Sequence, residues 1–170
     1  MADGAANSRT IVIGLGNPLL GDDGVGWRVA DEIEGLLRTA RESGDQTPAV
    51  DIERMGVGGL RLMECLTGYE SAILVDAAEF QDRPIGEVRS CAFGELEDYA
   101  TGHLDSTHDA SLRTALALGR RLGACLPDRI EAITIQVRST DVFSEDLSPE
   151  VADAVPVAVS AVMSLLMANR

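Results

Sequence analysis

Apolar positions along the chain alternate between two periodicities, and the alternation predicts strands and helices in turn. Residues 9–14 are an apolar run that reads as a first strand. Residues 23–40 place Val25, Val29, Ile33, Leu36 and Leu37 on one helical face, with Arg28, Asp31, Glu32 and Glu34 mainly on the other. Asp22 reads as the N-cap of that helix. After a polar loop, RESGDQTP, residues 49–55 alternate as a strand exposed on one face does. Gly56, Gly58 and Gly59 turn the chain into a short helix, LRLMECL, which Gly68 ends. Residues 70–76, ESAILVD, read as the most buried strand, ending in Asp76. Residues 87–93, EVRSCAF, read as another strand. The Asp76–Glu87 connection is too short for a helical crossover, so this strand is expected to run antiparallel to its predecessor if the two pair.

An irregular acidic loop over 94–107 leads to a helix from near His108 to about Leu122. Ser106 or Thr107 is its cap, and Leu112, Ala115, Leu116 and Leu122 are its expected core contacts. Residues 130–137 read as the last strand. Residues 148–170 read as the closing helix, with Ser148 as cap, Pro149 at the first helical position and Pro156 kinking or dividing it. The order β-α-β-α-β-β-α-β-α predicts a single α/β domain with helices on both faces of a mostly parallel sheet. Residues 1–8 read as a disordered lead without the features of a secretory signal.

Residues 11–26, IVIGLGNPLLGDDGVG, hold the chemistry of the first strand end. Gly14-Leu15-Gly16 begins like a dinucleotide fingerprint, but Leu19 stands where the third glycine belongs and Pro18 removes a backbone donor. The chain contains no lysine, so no P-loop is present, and Asp22 and Asp23 would repel a phosphate. The loop offers oxygen ligands or acid–base groups instead.

Composition narrows the classes further. A net charge of −14, with arginine as the only basic type, argues against nucleic acid. No apolar run reads as a membrane span. Cys65, Cys91 and Cys125 lie far apart in apolar segments, as buried thiols in a reducing cytoplasm would. Neither a GxSxG elbow nor an HExxH helix occurs.

GLGNPLLGDDGVG resembles the opening motif of the hydrogenase maturation endopeptidases. Three further segments match that family in order: AILVDA with Asp76, STHDASL with His108, and LSPEV before the last helix. The resemblance runs from about Ile11 to the C-terminus. It implies an αβα sandwich around a five-stranded mixed sheet. It also implies a cytoplasmic enzyme that trims the C-terminal tail of a nickel–iron hydrogenase large-subunit precursor after nickel insertion. The partner implied is that precursor, with no membrane and no organic cofactor, and the expected state is a monomer.

In this family the metal-contacting residues map onto Asp23, Asp76 and His108, which would grip nickel carried by the substrate. Zinc or cadmium would serve as a stand-in in the isolated protein. Two carboxylates and an imidazole suit such a borderline ion. On pattern alone, Asp23 also fits a first-turn helix acid, Asp76 a hydrogen-bonded loop anchor and His108 an exposed helix-start residue. His103 lies in a polar loop, does not match the motif and reads as surface.

The chain departs from the family in one place. Relatives often continue the last strand into a glycine- and proline-containing loop, where this chain has QVRSTDVFSEDLSPEV. Two rivals share parts of the pattern. Peptidyl-tRNA hydrolases also open with GLGNP but need a following histidine and asparagine, and their tRNA surface is not acidic. A nickel-sensing chaperone would use the same ligands without cutting, and would leave the precursor's mass unchanged.

Overall fold

The computed structural model describes residues 9–56, 58–80, 82–95 and 112–168. Five strands form one sheet: β1 (Thr10–Leu15), β2 (Val50–Met55), β3 (Ser71–Ala78), β4 (Val88–Ala92) and β5 (Arg129–Gln136), in the order β2-β1-β3-β5-β4. All neighbours are parallel except β4, which is antiparallel to β5. Four helices flank them: α1 (Val25–Glu42), α2 (Gly59–Cys65), α3 (Leu112–Arg121) and α4 (Pro149–Ala168).

Strand alternation divides the core into two layers. Ile73, Val75 and Ala77 of β3 face α1 and α4, among Val29, Ile33, Ala158 and Val162. Ala72 and Leu74 face the other way with Ile11, Ile13 and Leu15 of β1, against Leu62 of α2 and Leu112 and Leu116 of α3. Both β1 and β3 are buried along their whole length, which is why their sequences run apolar without alternation. Burying each large aliphatic side chain contributes about 1.5–3 kcal/mol, so the two layers hold the sandwich together from both faces. The expected αβα sandwich with a five-stranded mixed sheet is therefore what the chain forms.

Several details differ from the sequence reading. Strand β4 does not pair with β3, the condition on which an antiparallel run was expected; it pairs antiparallel with β5 instead. Strand β5 is buried over most of its length and fits an interior slot, whereas β4 exposes Arg89 and Ser90 and fits an edge. Strand β3 does not end at Asp76; Ala77 and Ala78 continue the ladder opposite Ile135 and Gln136. Leu36 is 50% exposed and Leu122 76% exposed, so neither is a core contact. Leu122 falls in the turn after α3, and the buried stripe of α1 is narrower than its apolar pattern.

Pro156 does not divide α4, which runs unbroken. Proline costs about 3 kcal/mol inside a helix. Here it lies on the exposed side, while Val151, Ala154, Val155, Ala158, Val159, Val162 and Leu166 pack inward on both sides of it. That packing holds the helix together. The reading that no run approaches a membrane span also needs correction. At 20 residues and a mean hydropathy of 1.9, α4 is long and apolar enough to cross a bilayer by length and composition. In this fold it covers the sheet beside α1. The cysteines differ too: Cys65 and Cys91 are half-buried and Cys125 is exposed. The predicted lead at 1–8, the Ser106 or Thr107 cap and the helix start at His108 lie outside the described residues.

Candidate functional site

The site begins where β1 hands over to α1. A Cβ at Gly14 would lie 2.2 Å from the Gly26 carbonyl oxygen, and one at Gly26 would lie 2.2 Å from that of Leu15 and 2.5 Å from that of Val75. Only two glycines let the first turn of α1 sit this closely on the backbones of β1 and β3. Gly16, at φ 127°, then turns the chain out of the sheet, and its N–H donates to the Met55 carbonyl at 3.0 Å. The following segment closes in a 3₁₀ turn, Gly21–Gly24, that packs against β3.

Asp23 lies in that turn and is 1% exposed. The Asn17 N–H donates to its Oδ2 at 2.7 Å. The Asn17 side chain in turn accepts from the Leu19 N–H at 3.0 Å, which fixes the loop around the carboxylate. Asp76 is also 1% exposed. It stands opposite Thr134 of β5 and, by strand alternation, on the α2/α3 side of the sheet with Leu74. Thr134 and Gln136, both buried, make this end of that face polar where its other end is aliphatic. Gln136 holds the chain after β3: its Oε1 accepts from the Phe80 N–H at 3.0 Å and its Nε2 donates to the Phe80 carbonyl at 3.1 Å.

From β1 the chain crosses to β2 on one side, and then to β3 on the other. The carboxyl ends of β1 and β3 therefore flank the point where winding reverses, the place where open α/β sheets bind ligands. The structure brings Asp23 and Asp76 to this same edge, on adjacent strand ends. His108 and His103 lie outside the described residues, between Glu95 and Leu112. The flanking Phe93 and Leu112 both pack in the layer that Asp76 faces. Among the described residues, no group of three or more His, Cys, Asp and Glu is placed to hold a metal ion. What the described residues supply is two deeply buried carboxylates, suited to a divalent cation or to proton transfer.

Asp22 is not a helix cap. The residue before α1 is Gly24, and no side chain caps the helix. Asp22 instead reaches across the edge, where its two oxygens accept from the Ser148 N–H at 2.6 Å and the Ser148 hydroxyl at 2.8 Å. The Ser148 hydroxyl is thereby committed to Asp22. The Gly21 N–H donates to the Ser144 carbonyl at 2.6 Å, and the Ser144 N–H to the Leu19 carbonyl at 3.1 Å. Glu79 completes the frame by accepting from the Thr140 N–H at 2.9 Å and its hydroxyl at 2.8 Å. The divergent segment 138–148 is thus fastened to both acidic loops, with a cavity of about 400 Å³ beside it lined by Asp22, Ile85, Arg138, Val142 and Leu147. Sequence reasoning missed this frame. Asp22 and Ser148 are 126 residues apart, and each carries a sufficient local explanation as a cap.

Cys65 does not rival the carboxylates. Burial and then the charge of Glu53 push the Cys65 thiol above its ordinary range, the reverse of what a thiolate nucleophile needs.

Known proteins resemble this chain to different degrees. A family model described as "HycI: Hydrogenase maturation protease" matches residues 32–165. That match starts at Glu32, so the Asp23 loop precedes it. The hydrogenase expression/formation protein HupD of Rhodobacter capsulatus is 27% identical over 153 residues, which span 89% of this chain and 68% of that protein. Among solved structures, the hydrogenase maturating endopeptidase HybD from E. coli has the same fold. Its TM-score is 0.72 at 21% identity, over 95% of this chain and 93% of that one. The NiFe hydrogenase maturation protease HybD from Thermococcus kodakarensis gives a TM-score of 0.65 at 26% identity, over 93% and 99%.

Proposed function

The chain belongs to the hydrogenase maturation protease family, and on that premise we propose that it removes the C-terminal extension of a nickel–iron hydrogenase large-subunit precursor once nickel has been inserted. Its class is that of an endopeptidase, a peptide hydrolase acting in hydrogenase maturation. The finer reading rests on one observation: Asp23 and Asp76, each 1% exposed, both lie at the sheet edge where the winding switches between β1 and β3.

Two carboxylates this well buried concentrate negative charge at one edge of the sheet. Two of them on one edge favour an incoming cation. In this reading the nickel already seated in the precursor is that cation, with His108 as the third donor from the segment preceding α3. Gripping the substrate's own metal sets the scissile peptide beside the site, and the charge of the ion polarises the peptide carbonyl toward water. The protein needs no organic cofactor for this, and it acts as a monomer in the cytoplasm. Cleavage then becomes conditional on nickel insertion.

The test compares a nickel-loaded with a nickel-free large-subunit precursor, read by the mass of the product. The loaded precursor should lose its tail and the empty one should not. Equal cleavage of both, or of neither, contradicts the reading.

A further inference from the structure

We propose that Leu19, Val142 and Phe143 form the docking surface through which the large-subunit precursor is held, an inference that rests on the reading above. Their position follows from the clasp between the two loops. Leu20 and Ser144 form a parallel bridge, so the preceding residues, Leu19 and Phe143, stand beside each other in register. All three are turned to solvent: Phe143 is 79% exposed, Val142 58% and Leu19 47%. Val142 precedes Phe143 on the same loop and lines the cavity beside it. Three exposed apolar side chains on one hydrogen-bonded frame are a contact surface awaiting a partner. They also sit at the lip of the site, since the Asp23 N–H donates to the Leu20 carbonyl at 3.2 Å.

Charge identifies the occupant's chemistry. From Ser139 to Asn169 the chain has no basic residue, and Asp141, Glu145, Asp146, Glu150 and Asp153 make it acidic. Arg28 approaches, but its Nη2 donates to the Glu145 backbone carbonyl at 3.1 Å, not to a carboxylate. Arg138 is the one basic residue at the start of this segment. An apolar knob rimmed by acids complements an apolar segment rimmed by basic residues. A second copy of this chain, itself at −14, does not supply that rim.

Rigidity links docking to the site. Asp22 and Ser148, with Gly21 and Ser144, tie the docking segment to the loop that holds Asp23. A partner seated on Phe143 is therefore held at a fixed offset from the buried carboxylate, and recognition sets the register of cleavage.

The experiment measures binding of purified nickel-loaded precursor, and its cleavage in parallel, for the wild-type chain and for Phe143→Ser, Leu19→Ser, Glu145→Gln/Asp146→Asn and Leu122→Ser. Phe143→Ser should weaken binding at least about tenfold, as loss of an aromatic anchor does, with the loss falling on KM more than on kcat. Leu19→Ser should act in the same direction, and carries the test if Phe143→Ser fails to fold. The double acid variant should flatten the salt dependence of binding. Leu122, equally apolar and exposed at the end of α3, is the control and should change nothing. Wild-type binding and cleavage by both serine variants at the lip would overturn the docking surface while leaving the protease reading standing. A wild-type dimer in sedimentation that Phe143→Ser splits would overturn it in favour of a second copy. A wild-type chain that neither binds nor cuts the precursor would overturn both.

Discussion

Alanine at Gly26 and alanine at Gly35 are the same change in the same helix, and the structure gives them opposite signs. At Gly26 the added Cβ would lie 2.2 Å from the Leu15 carbonyl oxygen, 2.5 Å from that of Val75 and 2.8 Å from the Leu15 nitrogen. All three are backbone atoms of central strands, so no side chain can swing aside. Overpacking a core costs about 1–3 kcal/mol and sometimes more. Three such contacts put Gly26→Ala at the upper end, and helix propensity returns at most about 1 kcal/mol. A net loss of at least about 2 kcal/mol corresponds to a fall in Tm of about 4–8 °C for a chain of this size. At Gly35 nothing lies within 4 Å of the added Cβ. Gly35→Ala should therefore gain about 0.5–1 kcal/mol from helix propensity alone. Thermal melts by circular dichroism, with precursor processing followed on the same samples, measure both. Gly26→Ala should also process more slowly per folded molecule, because the helix start it displaces carries the Asp23 turn. A Gly26→Ala melt at or above wild type, or a Gly35→Ala melt that falls with it, would refute the close-packing argument.

Other expectations can be checked alongside. Asp76→Asn keeps the size of a buried side chain and removes its charge, so processing should nearly vanish while the melt holds; loss of activity that tracks unfolding would make Asp76 a structural anchor. His108→Ala should lose processing and cadmium affinity where His103→Ala loses little, and equal impairment by both would leave His108 without a special role. Burial and then the Glu53 charge raise the Cys65 pKa, so at a given pH less of it is thiolate. Exposed Cys125 should therefore be alkylated first, as peptide mapping of an iodoacetamide time course would show. Pro156→Ala on the exposed side of α4 should raise the melt by restoring a helix hydrogen bond; an unchanged melt would show that α4 is not limited by its proline.

The sheet and its layers were legible because burial writes itself into local pattern. The unbroken apolar runs of β1 and β3 announce strands covered on both faces, and the stripe Val25, Val29, Ile33, Leu37 announces a helix lying on them. Pairing was less legible. The short link after β3 speaks only to a direct pairing of β4 with β3, and nothing local tells that β5 slots between the two. Exposure of Leu36 and Leu122 has the same origin, because periodicity states which residues are apolar and not how wide a face its neighbours cover. At the site, the family resemblance singled out Asp23 and Asp76, while pattern alone left each with a structural alternative. Asp22 was misread because a cap satisfies the same local grammar, whereas its true partner, Ser148, is fixed only by the tertiary fold. The third donor expected at His108 lies outside the described residues.

The Asp22–Ser148 clasp also sets a timetable. During synthesis the carboxylate emerges 126 residues before the serine that holds it. At about 5–20 residues per second, that interval is roughly 6–25 s. Throughout it, the loop bearing Asp23 lacks its fastening, and α1 lacks the helix α4 that covers its flank. A nascent chain therefore carries the acids of a protease without the frame that aims them, and competence to cut arrives only with the last helix.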